Sequence, residues 1–473
     1  MNLWHKLFKS TLGVLRTEKG AAAGIMILIA LTGISLYAVM SVPYQEVVRK
    51  WNTIEAWEEY PRNALPAWVN IFTAKKLPET IIIDSKVEDP RVIKEVNVVD
   101  GDFKSIKIVM TLDYQYNELP SEVTLKIVFS GSLTKRASIM LTWYNAKGVM
   151  LFQKRFALQG NYSYDISRDR DLLRDLEQKL ILLIGKVPDY VADVITLLFG
   201  TWDETILKKS TVQVDKEKHK VEIEAIVMDP QVDVNTRLII YGRIYGVAGT
   251  DGYRRDLWVG IIWGTPIALA FGLTAALLVT ISQVFVGAIS AWFGKAVDFT
   301  MQRLTEIFMN IPFYPLLIMI SFVYKLDLWT LLLVIVGLSV FGSGVKTARS
   351  LFLALKEAPY IEAAKAYGAN NFRIIILYMI PRILPTLVPN LITSVPYYVF
   401  LEASLAIIGV SGTLRSVVTW GRVLNDAFSA GALYLGLYHW VLIPSLFLFL
   451  ASLGFALVGL SLEKALNPRL KEI

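Results

Sequence analysis

Long uncharged stretches alternate with shorter charged ones over most of this chain. A bilayer core about 30 Å thick needs roughly 20 apolar residues for one helical span. Six stretches approach or exceed that length and predict an α-helical polytopic membrane protein with six transmembrane helices: residues 21–42, 257–294, 307–324, 328–345, 383–401 and 427–462. We interpret the run 257–294 as one long helix with Pro266 near its outer start, because two helices there would place the basic termini on opposite sides.

Residues 44–250 follow a different pattern, in which polar and apolar residues alternate and β-branched residues are frequent. This period of two is typical of half-buried strands. It predicts strands at residues 104–116, 122–131, 136–144 and 149–158, a hairpin turn at Asn145 to Gly148, and a second hairpin between 211–215 and 220–228. Helical spacing of apolar residues covers 168–184 and 189–199. The region therefore reads as an inserted α+β domain, rich in β-structure, folded outside the membrane.

Charge orients the chain in the bilayer. The net charge is +7, and the basic excess lies outside residues 44–256, near both termini and in two short loops. The positive-inside rule then predicts a cytoplasmic N-terminus over 1–20, a first transmembrane helix over 21–43 and an extracellular domain over 44–250. The remaining chain is divided into a core with five transmembrane helices over 251–463 and a cytoplasmic tail over 464–473. The first span reads as an uncleaved anchor, since its apolar core is too long for a signal peptide.

A polar loop at residues 346–382 separates two of the apolar spans. Within it, Tyr360 to Tyr367 predicts a short helix that Gly368 ends, and Asn370 or Asn371 caps the next helix, which carries Arg373 back toward the membrane. On the short helix, Ala363, Ala364 and Tyr367 are available for a socket, with Glu362 and Lys365 at its rim. An ordinary amphipathic helix lying on the lipid headgroups is the alternative.

The sequence from Glu362 to Ala364, followed by Gly368 and Pro381, resembles the EAA signature of ABC importer permeases. Further matches extend along residues 249–470 and point to the C-type permease subunit of the dipeptide/oligopeptide family. They include Gly249-Thr250-Asp251, Arg255-Asp256, Asp298, Arg303, Pro312, the segment Glu402 to Leu405, Gly409 and Trp420-Gly421. Arg254 stands where that family has glycine. The large insert at 44–250 lies outside the resemblance.

The resemblance implies a type I ABC importer permease fold and a chain that binds no cofactor itself. ATP and Mg would be bound by two partner ATPase subunits, and the further partners would be a B-type permease, an extracellular solute-binding protein and membrane lipid. The cargo would be a peptide, or alternatively an oligosaccharide. The residues that the resemblance assigns to ATPase coupling are Tyr360, Glu362, Ala363, Ala364, Tyr367, Gly368, Arg373 and Pro381.

Glu402 is an isolated acidic residue in an apolar span. A carboxylate at that depth faces a cavity, a partner or the protein interior, so two interpretations stay open: the translocation pathway, and a hydrogen bond that holds a subunit interface. Ser404 and Pro396 share the span and belong to the same candidate site. Pro385, Pro389 and Pro396 are expected to kink this helix.

Other functions find little support in the sequence. There is no phosphate-binding G-x-x-x-x-G-K-[ST] motif, and His5, His219 and His439 are too dispersed to suggest a metal site or a catalytic triad. The basic residues are split among short loops, which argues against nucleic-acid binding. A membrane-anchored receptor or enzyme needs neither five further spans nor the polar loop. The insert reads as a spacer or as a docking platform for the binding protein, and Asn161 begins a weak glycosylation sequon.

Overall fold

The computed structural model describes residues 18–99, 103–145, 147–216, 218–229, 231–409 and 417–466. Predictions that concern residues 1–17 and 467–473, including His5 and the ends of both termini, lie outside the described residues. The chain divides into two compact units. The membrane unit comprises the chain up to Thr53 together with the chain from Leu257 onward, and the β unit comprises Ile54–Asp256.

The membrane unit is helical. Its helices are α1 (Lys19–Ser41), α2 (Tyr44–Asn52), α5 (Leu257–Phe293), α6 (Lys295–Asn310), α7 (Phe313–Tyr324), α8 (Leu328–Ser339), α9 (Ser343–Lys356), α10 (Pro359–Ala366), α11 (Asn371–Ile407), α12 (Trp420–Ser429) and α13 (Tyr438–Leu466). Helices α3 (Arg170–Ile184) and α4 (Val194–Phe199) belong to the β unit. Four of the helices, α1, α5, α11 and α13, are long and apolar enough to cross a bilayer.

Two further spans are broken. Helices α6 and α7 meet at an angle of 78°, and α8 and α9 meet at 52°, so the described residues provide four to six spans. The prediction of a single helix over 257–294 is confirmed by α5, which continues through Pro266. The prediction of an unbroken helix over 307–324 is wrong, because Pro312 has no backbone N–H and separates α6 from α7.

The break between α8 and α9 is filled by a side chain from α5. The Gln283 amide donates to the Ser339 carbonyl at 2.7 Å, a group that the broken helix leaves without its usual partner. A Cβ atom at Gly344 would lie 1.9 Å from the Gln283 oxygen. Glycine at this position therefore admits the polar side chain that satisfies the backbone inside an apolar region.

Close contacts between helices in the membrane unit depend on small residues. A Cβ atom at Gly24 of α1 would lie 2.9 Å from the Gly454 carbonyl of α13, and one at Gly287 of α5 would lie 2.7 Å from Ala348 of α9. Since lipid supplies little hydrophobic force for helix association, such close backbone packing is a main source of stability.

The β unit is built from two antiparallel sheets. The strands are β1 (Ile81–Asp84), β2 (Val92–Val99), β3 (Phe103–Asp113), β4 (Glu122–Ser130), β5 (Ala137–Tyr144), β6 (Met150–Leu158), β7 (Tyr162–Asp165), β8 (Lys218–Val227) and β9 (Asp233–Tyr241). Their order is β1-β9-β4-β7 in one sheet and β2-β3-β8-β5-β6 in the other. Residues from both sheets share one core with the helices α3 (Arg170–Ile184) and α4 (Val194–Phe199).

The alternating pattern predicted where strands lie more reliably than it predicted which strands pair. The four predicted strands correspond to β3, β4, β5 and β6, and the hairpin between β5 and β6 is confirmed. The second predicted hairpin is wrong: Val214 forms only an isolated bridge with Gly200, and β8 pairs with β3 and β5 instead. A period of two marks a strand as half-buried but carries no information about a distant partner.

Candidate functional site

The polar loop folds as the sequence predicts. Pro359 occupies the first turn of α10, where its missing N–H is harmless, and Glu362 and Lys365 lie at the ends that suit their charges. Gly368 follows the helix with φ of +79°, the left-handed conformation that ends many helices. The side chain of Asn370 then accepts a hydrogen bond from the Arg373 backbone at 2.7 Å and caps α11.

The inner face of α10 is anchored in an apolar core. Ile361 is fully buried, and Ala364 is buried beside it. Both pack with residues from α5, α9 and the first turns of α11, among them Trp292, Phe352 and Ile374. Ala364 packs toward this core because it lies three positions from Ile361 on the helix. It also lines a pocket together with Ala363 and Tyr367, the three residues expected to be available for a socket.

The outer face of α10 is presented to solvent. Glu362, Ala363 and Lys365 are exposed, and Tyr367 is 93% exposed. A pocket of about 340 Å³ opens beside this face, and its walls include Tyr360, Gly368 and Arg373 together with Tyr378 of α11. The Tyr360 hydroxyl is buried without a hydrogen-bond partner among the described residues. A concave surface lined by tyrosines and an arginine, with a polar rim, suits contact with another protein.

Two residues of this site were not predicted from the sequence. Arg382 stacks its guanidinium 5.2 Å from the ring centre of Tyr360, and Tyr378 reaches the pocket from a π-helical turn, Ile374–Met379. Such a turn shifts the faces of a helix relative to regular α-helical spacing. Arg382 adjoins Pro381, which is half-buried and was itself assigned to the site.

Charged side chains tie α10 to the end of α5. The Lys356 ammonium donates to the carbonyls of Ala291 and Trp292, at 2.9 and 2.7 Å, in the last turn of α5. The Lys365 ammonium of α10 lies 4.8 Å from the ring centre of Trp292. We call Trp292, Lys356 and Lys365 the tryptophan clamp. Its contacts join α9 and α10 to the last turn of α5.

An ion pair lies in the same region. Arg349 of α9 donates to the Asp298 carboxylate of α6 at 2.6 Å, and the Ser290 hydroxyl donates to the same carboxylate. Asp298 was one of the residues that carried the family resemblance, whereas Arg349 was not singled out. The ion pair and the Ser290 hydrogen bond together join α5, α6 and α9 close to the loop.

Glu402, Ser404 and Pro396 do not form one cluster. Glu402 is only 4% exposed, and its carboxyl interacts with Thr419; its Oε2 atom has no hydrogen-bond partner among the described residues. The Ser404 hydroxyl donates to the Phe400 carbonyl of its own helix at 2.7 Å, and Pro396 is half-buried. The chain alone thus shields Glu402, without a neighbouring subunit.

Thr419, the partner of Glu402, caps α12. Its side chain accepts a hydrogen bond from the Arg422 backbone at 3.1 Å. Trp420, which follows it, is fully buried and donates from its indole to the Ile261 carbonyl of α5 at 2.9 Å. The segment Trp420-Gly421 is therefore the buried start of a helix held by α5 and α11.

The comparisons with known proteins agree with this geometry. The family model described as binding-protein-dependent transport system inner membrane component matches residues 283–472. The oligopeptide transport system permease protein OppC of Haemophilus influenzae is 31% identical over 227 residues, which cover 48% of this chain and 71% of that protein. This chain belongs to the binding-protein-dependent transport inner membrane component family.

Two relatives from Bacillus subtilis give the same result. Its oligopeptide permease OppC is 29% identical over 227 residues, covering 47% of this chain and 72% of the relative. Its dipeptide permease DppC is also 29% identical over 227 residues, covering 47% and 68%. The expected resemblance to C-type permeases is thereby confirmed, and the chain is a multi-pass membrane permease of that type.

Proposed function

We propose that this chain is the C-type permease subunit of an ATP-driven ABC importer for peptides. The observation that carries the proposal is the exposed face of α10, with its adjoining pocket, mounted on a buried core between α5, α9 and α11. A soluble motor can act only on a part of the permease that protrudes from the bilayer. This face is exposed on a buried support, and the family model matches residues 283–472, which contain it.

The proposal assigns the energy source to partner subunits. Two ATPase subunits would bind ATP and Mg and contact Glu362, Ala363, Tyr367 and the pocket beside them, while this chain binds no cofactor. Gly368 would fix the direction of the polypeptide, and Arg373, Tyr360 and Pro381 would shape the pocket wall. Ala364 would act from within, by holding α10 to the core.

The translocation pathway would be shared with a B-type permease. ATP binding would draw the coupling helices of the two permeases together, and the helices attached to them would open the pathway outward to an extracellular solute-binding protein. In this arrangement the termini are cytoplasmic and residues 44–250 are extracellular, as the positive-inside rule favours. The β unit would then form a platform on which the binding protein lands.

We further infer that Glu402 positions α12. Its carboxyl hydrogen-bonds with Thr419, whose own side chain caps α12. Ser404 and Pro396 would act on α11, the helix that carries Glu402, through the Ser404 hydrogen bond to the Phe400 carbonyl and through a kink at Pro396.

The decisive experiment is transport by the reconstituted complex. Proteoliposomes that contain both permeases and the ATPases should accumulate labelled oligopeptides when ATP and the loaded binding protein are supplied. Labelled oligosaccharides in parallel vesicles test the alternative cargo, and uptake of sugar without peptide would overturn the peptide assignment. A complex that neither binds the ATPases nor transports either cargo would contradict the permease proposal itself.

A further inference from the structure

The β unit carries an exposed apolar patch close to its C-terminal end. Trp68, Ile71 and Phe72 lie on and just after a short 3₁₀-helix, Ala67–Ile71, and Val247 lies beside them. All four side chains are exposed; Ile71 and Phe72 are 78% and 79% exposed. We call these four residues the aromatic patch. Rigidly displayed apolar groups of this size usually mark a contact surface.

Hydrogen bonds hold the aromatic patch in shape. The Trp68 indole donates to the Val247 carbonyl at 2.9 Å, and the Ala67 backbone donates to Gly246 at 2.9 Å. The amide of Asn70 closes the following loop by bonding the backbone of Leu77 in both directions, at 3.0 and 2.9 Å. The loop therefore presents Ile71 and Phe72 outward through fixed geometry.

Two lysines accompany the aromatic patch. Lys75 and Lys76 lie in the closed loop and are exposed, and Lys75 makes only a long ion pair with Glu118, at 3.8 Å. A tryptophan with a polar tip, apolar neighbours and adjacent lysines is the combination found where proteins meet the lipid headgroup layer. The lysines add attraction to anionic lipids.

The position of the patch along the chain favours the bilayer as its partner. Val247 precedes Leu257, the first residue of the long membrane helix α5. The intervening residues 248–256 can span at most about 30 Å. A surface tethered this closely to a membrane helix meets lipid at high effective concentration.

We propose that the aromatic patch, with Lys75 and Lys76, inserts into the lipid headgroup layer of the membrane that the chain itself spans. The binding partner of the patch is the lipid surface, and the contact holds the β unit against the bilayer. The proposal does not rest on transport activity, so it survives or fails independently of the function proposed above.

The chain contains no cysteine, which allows a clean labelling experiment. Phe72→Cys and Val191→Cys in the full chain each receive a nitroxide label, after reconstitution in vesicles of equal parts phosphatidylcholine and phosphatidylglycerol. Val191 is 92% exposed and follows α3 in the sequence, outside the aromatic patch. A label at Val191 is therefore the matched control. The measured quantity is the ratio of two collision rates of the nitroxide label. One is with oxygen, which is enriched in lipid, and the other is with a nickel chelate, which stays in water.

We expect the label at residue 72 to favour oxygen over the nickel chelate several-fold more than the label at residue 191. Replacing Lys75 and Lys76 by glutamate should reduce this preference in the anionic vesicles, and reduce it less in pure phosphatidylcholine. Equal exposure of both labels to the nickel chelate would overturn the proposal. Immobilisation at residue 72 that grows with protein density, without oxygen preference, would also overturn it and would assign the patch to contact between protein copies.

Discussion

Arg254 stands where the resemblance leads us to expect glycine, and its side-chain contacts compensate for the substitution. Its φ is +67°, a left-handed conformation that favours glycine, the residue expected there by resemblance. The guanidinium compensates through contacts inside the β unit: it donates to the Tyr60 carbonyl at 2.8 Å, pairs with Glu122 and stacks 4.1 Å from the ring centre of Tyr241. The side chain thus offsets the backbone strain.

This balance predicts an unusual order of stabilities. Arg254→Ala loses the contacts but keeps the strain, whereas Arg254→Gly loses the contacts and relieves a strain of about 1 kcal/mol. The glycine variant should therefore unfold at a higher temperature than the alanine variant, with the wild type above both. Thermal unfolding of the full chain, followed by near-UV circular dichroism, measures the order. An alanine variant as stable as the glycine variant would show that the backbone is unstrained.

Asp169 links the stability of the β unit to pH. Burial alone would raise the pKa of its carboxyl, but hydrogen bonds from Lys154, Tyr164 and the Leu172 backbone outweigh burial and lower the pKa to about 2. Because the carboxyl has a lower pKa in the folded chain than in the unfolded chain, its ionised form stabilises the fold at pH values above about 4. This contribution to the free energy of unfolding is lost as the pH falls from about 4 to about 2.

The effect should amount to roughly 1–2 kcal/mol over that pH range. Asp169→Asn keeps a capping oxygen for α3 but cannot titrate, so its stability should fall less steeply between pH 4 and pH 2 than that of the wild type. Unfolding temperatures of the two full-length proteins at several pH values give the comparison. Parallel pH profiles would remove Asp169 as the cause.

At the scale of elements, the sequence predicted what local pattern determines. The short helix α10, its end at Gly368 and the cap at Asn370 all follow from residues within a few positions of one another. The tryptophan clamp and the filling of the α8–α9 break by Gln283 join helices far apart in sequence, and no local pattern encodes them. The burial of Ala364 was missed because the direction of the core became known only with the fold.

The exposed face of α10 gives a prediction on coupling. Glu362→Lys reverses a charge on that face without touching the core, so the complex should assemble while stimulation of ATPase activity by the loaded binding protein falls several-fold. Glu357→Lys is the matched control, because Glu357 is also exposed but precedes α10. Equal stimulation in both variants and the wild type would identify α10 as a helix that merely lies on the headgroups.

The tryptophan clamp predicts a different defect. Trp292→Leu keeps an apolar side chain in the core but removes the ring beneath Lys365, which weakens a cation–π contact worth about 0.5–2 kcal/mol. ATPase activity should persist while the peptide transported per ATP declines. Both rates should be measured in the same vesicles, with Phe308→Leu on α6 as a control for loss of an aromatic ring on another helix. An unchanged ratio would show that the clamp has no part in transmission.

At the scale of the whole molecule, the charges in the turn between α7 and α8 favour bent pairs that cross the membrane. If α6–α7 and α8–α9 only dipped into the bilayer, the turn between α7 and α8 would place Lys325 and Asp327 in the hydrocarbon core. Each charge there costs about 2.5–3.5 kcal/mol. If both pairs cross, the same turn reaches the outer surface and both charges meet water. The six-span arrangement is therefore favoured by its energetics.

Single cysteines in the cysteine-free chain test this arrangement directly. Tyr324→Cys lies at the end of α7 and should react with a membrane-impermeant maleimide on intact cells, as Asn161→Cys should, whereas Glu362→Cys should react only after the membrane is opened. In the dipping arrangement, Tyr324→Cys would lie within the bilayer and react poorly under both conditions, while the other two positions would behave as before. Reaction at Glu362→Cys on intact cells, with Asn161→Cys protected, would instead reverse the orientation of the whole chain. The three positions thus separate the number of spans from their direction, because only the turn between α7 and α8 changes its environment between the two arrangements.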